Sequence, residues 1–484
     1  MRDLRKSSLD TLTSNLVVQM VGIISFFLLP NILALEDYAL VVYWGLISYY
    51  AGFADLGVLR VYGRKAPAFL ASEDQAGLIA IEQSVRTFLQ ISITLYSIVV
   101  SSFVYYKTHS LFVALIVFPL LASTALVSFY LQTITVRGGF SRYKVITIFQ
   151  SIVRLACVLG AYVWAFSGYL AGLMAGLIAT FFYIRDPKSL AIDLRITARP
   201  ALKLVPEGMV LAAATMIWGT LLMLGRFYAA LELPAQEVAM YGVLNSGYQI
   251  ITSMVVAICL PVTIRIYSMT VGDKHELLWF VTRIQVMMVV AVTIIAITIS
   301  CLSPYFLPVV FKKYSFNGTL VSLVVMSAAW VPIFATTGSV LIGRGRAKSY
   351  LALLATVFAA SYAFLKLLGS SIGIFGPALT QLVFLAITGL TLIVMLWGFF
   401  TRRTLKSIIA LAFPLWAMAL VTAGYACLYV IFVMLSGSVT GPLAATATFL
   451  SAGLALLVFW WRDPWVDSRL RALYSRCITV SDCL

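Results

Sequence analysis

Arg154, Arg226, Lys366 and Asp55 are the side chains on which any chemistry must turn, because each lies inside a long apolar run. An ionisable group in hydrocarbon is costly, so it faces protein, another charge or a watery cavity. Arg154 shares a helical face with Thr147, Gln150, Ser151 and Cys157 at three-to-four-residue spacing, which makes one side of that segment polar well into the run. Arg226 follows Trp218 and Leu222 at i, i+4 intervals, and Lys366 follows Tyr362 by one turn. Both lie toward the ends of their runs, where a long cationic side chain can instead snorkel to the interface. Asp55 lies on one face with Trp44, Ser48 and Gly52, and Arg60 follows about a turn later, so the two serve coupling or form a structural ion pair. Asn15 with Gln19, and Asn245 with Gln249, are polar i, i+4 pairs that line a cavity or glue helices together. Three cations against one carboxylate suit an anion and oppose a cationic ligand.

Other chemistries find no support. His109 and His275 fall between apolar runs, and Cys157, Cys259, Cys301, Cys427, Cys477 and Cys483 make neither a CxxC nor a zinc spacing, so no metal and no cofactor is implied. The turn Gly343-Arg344-Gly345-Arg346 lacks the preceding strand and the GKS/T ending of a phosphate loop.

The elements that must position these residues are membrane spans. Of 484 residues 62% are hydrophobic and 11% charged, whereas a soluble domain carries about 25% charge. Segments of about 20 apolar residues predict helices near 11–34, 38–59, 87–106, 110–133, 145–166, 169–184, 208–230, 238–264, 277–302, 320–342, 350–369, 372–400, 407–435 and 441–461. The first run is too long for a signal-peptide core and reads as a retained helix. With both termini on the cytoplasmic side, 28 of the 34 Lys and Arg fall in cytoplasmic segments. Lys107, Lys312 and Lys313 fall in periplasmic loops, and Arg154, Arg226 and Lys366 inside spans. That asymmetry is the positive-inside pattern. It also explains the net charge of +16 without nucleic acid, which needs a clustered basic face.

Basic turns follow spans four (Arg137 to Lys144) and ten (Arg344 to Lys348), and glycines open spans six (Gly168, Gly172) and twelve (Gly373, Gly376). These offsets predict an all-α polytopic fold of about fourteen spans. It comprises a six-helix lobe over 1–184, a cytoplasmic linker over 185–207, a second six-helix lobe over 208–400, and two further helices with a basic tail over 401–484. Basic turns recurring under the positive-inside rule alone are the alternative to a repeat.

The layout, the Asp55-Leu56-Gly57 ending of span two, and the stretch from Arg226-Phe227 through Glu237 to Tyr241 resemble the bacterial O-antigen and polysaccharide flippases of the multidrug/oligosaccharidyl-lipid/polysaccharide exporter superfamily. The resemblance covers essentially the whole length. It implies two lobes around a central cavity lined by spans one, two, seven and eight. It further implies an undecaprenyl-diphosphate-linked oligosaccharide as substrate, passage from the cytoplasmic to the periplasmic leaflet of the inner membrane, and polymerase and chain-length proteins of the same pathway as partners. Where such relatives often carry an acidic residue before the Arg of span seven, this chain has Gly225, so a coupling carboxylate is missing there. A cation-coupled exporter on the same fold is opposed by the charge count. A membrane glycosyltransferase or polymerase finds a parallel in Glu36 and Asp37, yet lacks large periplasmic loops, so no enzymatic activity is expected. A lipid II flippase is a closer alternative.

Overall fold

A computed structural model describes residues 2–137, 139–184, 199–269 and 274–400. The chain is an all-helical polytopic membrane protein, with no strand among the described residues. Eight described stretches are long and apolar enough to cross a bilayer. The spans expected between 11 and 400 fall on described helices; those expected at 407–435 and 441–461 lie outside the described residues. Contacts divide the described residues into two compact units, one within 3–219 with 234–239, the other within 220–233 and 240–400.

The first unit opens with α1 (Arg2–Ile32) and α2 (Leu35–Ala51), joined through extended Ala34. The expected second span ends early, because the chain turns at 52–57, with positive φ at Leu56 and Gly57, into the short amphipathic α3 (Val58–Ala71). Asp74 accepts the Gly77 N–H to cap α4 (Gln75–Thr108). His109 ends α4 in the left-handed region, and Ser110 caps α5 (Leu111–Val136). Side-chain oxygens at these sites satisfy helix-end donors that have no intrahelical partner. Spans five and six are built from α6 (Phe140–Arg154) and α7 (Ala156–Ile184), but the reversal lies inside α7, at Trp164 (φ −132°) and Ala165 (φ 50°). Gly160 and Gly168 close this hairpin: a Cβ on either would overlap the other's carbonyl oxygen.

The first unit also takes in part of the expected linker and half of span seven. A one-turn helix, Arg199–Leu202, leads into α8 (Val205–Leu222). Ala201 and Leu204 are buried with Val58, Tyr62, Leu78, Val85 and Phe129 in one apolar cluster, and Ala201 N–H donates to Ser84 Oγ. Burial of these side chains, worth about 25 cal/mol per Å², is what attaches the segment here. Residues 185–198 of the expected linker lie outside the described residues.

The second unit begins with α9 (Leu224–Glu232), set off from α8 by a break at Met223. It continues with α10 (Ala235–Met269), whose first turn belongs to the first unit, and α11 (Lys274–Val310). Span ten is α12 (Gly318–Met326), a 3-10 turn over Ser327–Trp330, and α13 (Val331–Gly343). It is apolar on every side and buried almost throughout, the pattern of a helix enclosed by others. Next come α14 (Ala347–Ile372) and α15 (Phe375–Phe400).

Candidate functional site

In the first unit, Arg154 ends α6 about 21 Å along the helix from Phe140 and about 15 Å short of the Trp164 reversal, at a rise of about 1.5 Å per residue. It is therefore deep in the span. The residues Val145, Ile152 and Leu159, seven apart, are the exposed apolar face. Arg154 projects about 200° around the helix from Ile152, on the side where Thr147, Ser151, Cys157 and Ala161 are buried. Its own side chain is nevertheless exposed, and among the described residues no carboxylate pairs with it. Gln150 is half-buried one turn earlier.

Asp55 does not bond to Arg60. Its two oxygens accept the N–H groups of Gly57 (3.0 Å) and Leu59 (2.9 Å), so it caps α3. The Arg60 guanidinium lies over the Phe53 ring and donates to the Leu211 carbonyl. Burial pulls Arg60 below its ordinary value, and the nearby Asp55 charge opposes that. The sequence gives no hint of the other buried acid. Glu82 in α4 accepts from the Tyr62 hydroxyl (2.9 Å) and from Arg137, whose Nε lies 3.2 Å away. This hydrogen bond holds the Arg137 guanidinium above its ordinary value. Gln19 is half-buried, and the Asn15 side chain lies outside the described ones.

In the second unit, Lys366 Nζ donates to Glu232 Oε1 at 2.6 Å and lies over the Tyr362 ring, so its charge is balanced at the end of α14. Arg226 is half-buried on α9, and Gln249 half-buried on α10. Asn245 is fully buried, and neither its Oδ1 nor its Nδ2 has a hydrogen-bond partner among the described residues.

Near Gly225 the structure contains a neutral polar node that the sequence does not announce. Gln381 Oε1 accepts the Gly225 N–H (2.9 Å) and the Tyr241 hydroxyl (3.3 Å), while Gln381 Nε2 donates to Ser327 Oγ (2.9 Å). Gln381, Tyr241 and Ser327 are all fully buried. A Cβ at Gly225 would overlap the Tyr241 hydroxyl and lie 2.6 Å from Gln381 Oε1. Position 225 is thus glycine because the Tyr241 hydroxyl occupies the space a side chain would need. A second neutral cluster has Gln285 Nε2 donating to Thr336 (2.8 Å) and Thr337 (2.7 Å). Among the described residues no group of His, Cys, Asp and Glu could hold a metal ion.

The buried described carboxylates, Asp55 and Glu82, are thus both engaged, and Arg154 is exposed with no carboxylate partner among the described residues. No sequence-family profile matches the chain, and no curated protein matches it. Solved structures do. The lipid II flippase MurJ in an inward closed conformation is similar with a TM-score of 0.62 and 13% identity, over 94% of this chain and 99% of that one. The Vibrio cholerae MATE transporter VcmN follows with a TM-score of 0.59 and 13% identity, over 82% of this chain and 96% of that one. A multidrug resistance MATE family transporter of the MOP superfamily, inward-facing, gives 0.54 and 12%, over 81% and 98%. At such identities the likeness is one of fold. The fold is that of membrane transporters and flippases.

Proposed function

We propose that the chain is a flippase for undecaprenyl-diphosphate-linked oligosaccharide repeat units in the bacterial inner membrane, working by alternating access with both termini cytoplasmic. The observation that carries this reading is Arg154: an exposed, unpaired guanidinium deep in a span, on the side away from the exposed apolar face. Guanidinium offers five donors in a planar fork that matches phosphate oxygens. An anionic headgroup supplies the countercharge that no described carboxylate gives. The same observation weighs against a cation-coupled exporter, since Asp55 and Glu82 are already occupied by backbone amides, Arg137 and Tyr62. Gly225 and its neutral node leave no carboxylate there for a coupling cation.

Direction follows from the membrane potential, negative inside. Moving one charge through 100 mV is worth about 2.3 kcal/mol, so expelling a diphosphate is downhill and only the desolvation barrier needs lowering. Mutation of Arg154 tests the proposal. In vesicles carrying a labelled polyprenyl-diphosphate oligosaccharide, Arg154→Gln should slow flipping at least 10-fold at unchanged membrane insertion, with Arg154→Lys in between. Flipping at the parent rate in Arg154→Gln would remove this site from the mechanism.

A further inference from the structure

The end of α11 is built for a place that neither water nor the bilayer core provides. Its 37 residues extend about 55 Å at about 1.5 Å each. Arg283 belongs to the basic side by the charge pattern, and a hydrocarbon core of about 30 Å takes about 20 residues beyond it, to about 303. The last turns, from about 302 on, therefore lie at and past the edge of the core. Their inner face is Ser303 and Leu307, both buried. Their outer face is Leu302, Tyr305, Phe306 and Val309, at i, i+3, i+4 and i+7, each between 48% and 69% exposed. Four large apolar side chains on one outward face do not belong in water. Pro304 and Pro308 remove the N–H groups that would bond the carbonyls of Ser300 and Pro304, so this end of the helix can bend away from the span axis.

Lys312 and Lys313 follow at once, both exposed. The turn that carries them is pinned by buried Phe311 and Tyr314 and half-buried Phe316: Phe311 lies 6.3 Å from Tyr314 and 6.1 Å from Phe316, and Tyr314 stacks on Phe316 at 5.6 Å. The corresponding helix of the first unit ends in the same way. Exposed Phe103, Tyr105 and Tyr106 stand at the end of α4, and Lys107 is next in sequence. Lys107, Lys312 and Lys313, which the charge pattern puts opposite the basic turns, thus each lie within about two turns of exposed aromatics near a helix end.

We infer that 301–313 lies in the headgroup layer of the leaflet opposite the basic turns and holds an anionic phospholipid there, its phosphate on Lys312 and Lys313 and its acyl chains along Leu302, Tyr305, Phe306 and Val309. Aromatic residues favour that layer because one end of the ring is apolar and the other wet. A lysine near an anionic lipid surface adds about fivefold in affinity, so two add about 30-fold. The inference rests on the membrane reading of the fold and not on which cargo is carried.

The test places the photoreactive residue benzoylphenylalanine at Tyr305 in the full-length protein, reconstituted in phosphatidylcholine vesicles containing one tenth phosphatidylglycerol. After irradiation, adducts are read by mass spectrometry. The expected result is lipid adducts enriched in phosphatidylglycerol over its bulk share, the enrichment collapsing in Lys312→Gln/Lys313→Gln and surviving in Lys312→Arg/Lys313→Arg. Adducts at the bulk ratio in the parent, or enrichment unchanged in the glutamine pair, would overturn the anionic-lipid assignment. No lipid adducts, or adducts only to a second copy of the chain, would overturn the placement in the headgroup layer. A flipping assay on the same vesicles keeps the two proposals apart, since loss of lipid enrichment with normal flipping sinks only this one.

Discussion

Gly225→Ala adds one methyl group at a point where the structure has no room. The new Cβ would overlap the Tyr241 hydroxyl, lie 2.6 Å from Tyr241 Cζ and lie 2.6 Å from Gln381 Oε1. Two fully buried side chains must shift, and the bonds Gly225 N–H to Gln381 and Tyr241 hydroxyl to Gln381 are disturbed together. Overpacking of this kind costs about 1–3 kcal/mol, and each disturbed neutral hydrogen bond about 1 kcal/mol. The expected loss is about 3–5 kcal/mol. Tyr241→Phe removes the overlapping oxygen but leaves the ring carbon at 2.6 Å, so Gly225→Ala/Tyr241→Phe should recover part of the loss and not all. Tyr241→Phe alone should cost only about 1 kcal/mol, since the bond it removes is long. Residues in contact couple by 0.5–3 kcal/mol in such cycles. Fluorescence-detected size-exclusion after heating, on all four proteins in one detergent, reads the differences. A Gly225→Ala protein as heat-resistant as the parent, or additive effects in the double variant, would refute the packing account of the node.

Asp55→Asn keeps one side-chain acceptor for the Gly57 and Leu59 amides, so flipping should persist at a stability cost below about 1 kcal/mol, whereas Asp55→Ala should cost about 0.5–2 kcal/mol in the same heating assay. Loss of flipping in the folded Asn variant would give Asp55 a coupling role instead. Glu82→Leu removes the acceptor of the buried Tyr62 hydroxyl and the partner of Arg137. Because the Arg137 side chain is half exposed, about 2–3 kcal/mol is expected in place of the larger cost of breaking a fully buried pair, read as earlier heat aggregation. Gly168→Ala sets a Cβ against the Gly160 carbonyl, where only backbone could yield, so the yield of monodisperse protein should collapse while an alanine at exposed Gly22, which has open space, changes nothing.

The apolar runs made the fold legible, because a chain that must cross lipid writes its helices as long stretches without charge. Asp55 was legible as a residue near the end of span two, yet its bonds were not: the choice between Arg60 and the α3 amides depends on the turn at 52–57, whose positive-φ residues hydropathy does not register. The α7 reversal was legible to within a few residues, since separate spans were expected at 145–166 and 169–184. Its place at Trp164 and Ala165 was not, because 156–184 are apolar throughout and the close approach of Gly160 to Gly168 is a tertiary contact. Lys366 read as cavity charge or as a snorkelling end residue; its partner Glu232 is 134 residues away, beyond the reach of helical spacing. The neutral node was equally unreadable, since Gly225, Tyr241, Ser327 and Gln381 stand on four separate elements and each alone looks like ordinary polar glue.

Exporters and lipid flippases share this fold, so the cargo must be decided by charge and not by topology. Two unit charges 4 Å apart interact by about 4 kcal/mol at an effective dielectric of about 20, attracting an anion and repelling a cation by similar amounts. A single unpaired guanidinium at membrane depth therefore separates the two cargoes by several kcal/mol before any shape recognition. The buried described carboxylates, Asp55 and Glu82, lie toward the basic side and have surrendered their charge to helix-end amides, a tyrosine or an arginine of their own unit. Lys366, which would have added to the positive side, has been cancelled by Glu232. The balance in favour of an anion thus rests on Arg154 more heavily than composition suggests. Under the proposed function, that concentration favours a headgroup with clustered phosphate charge over a diffuse anionic surface.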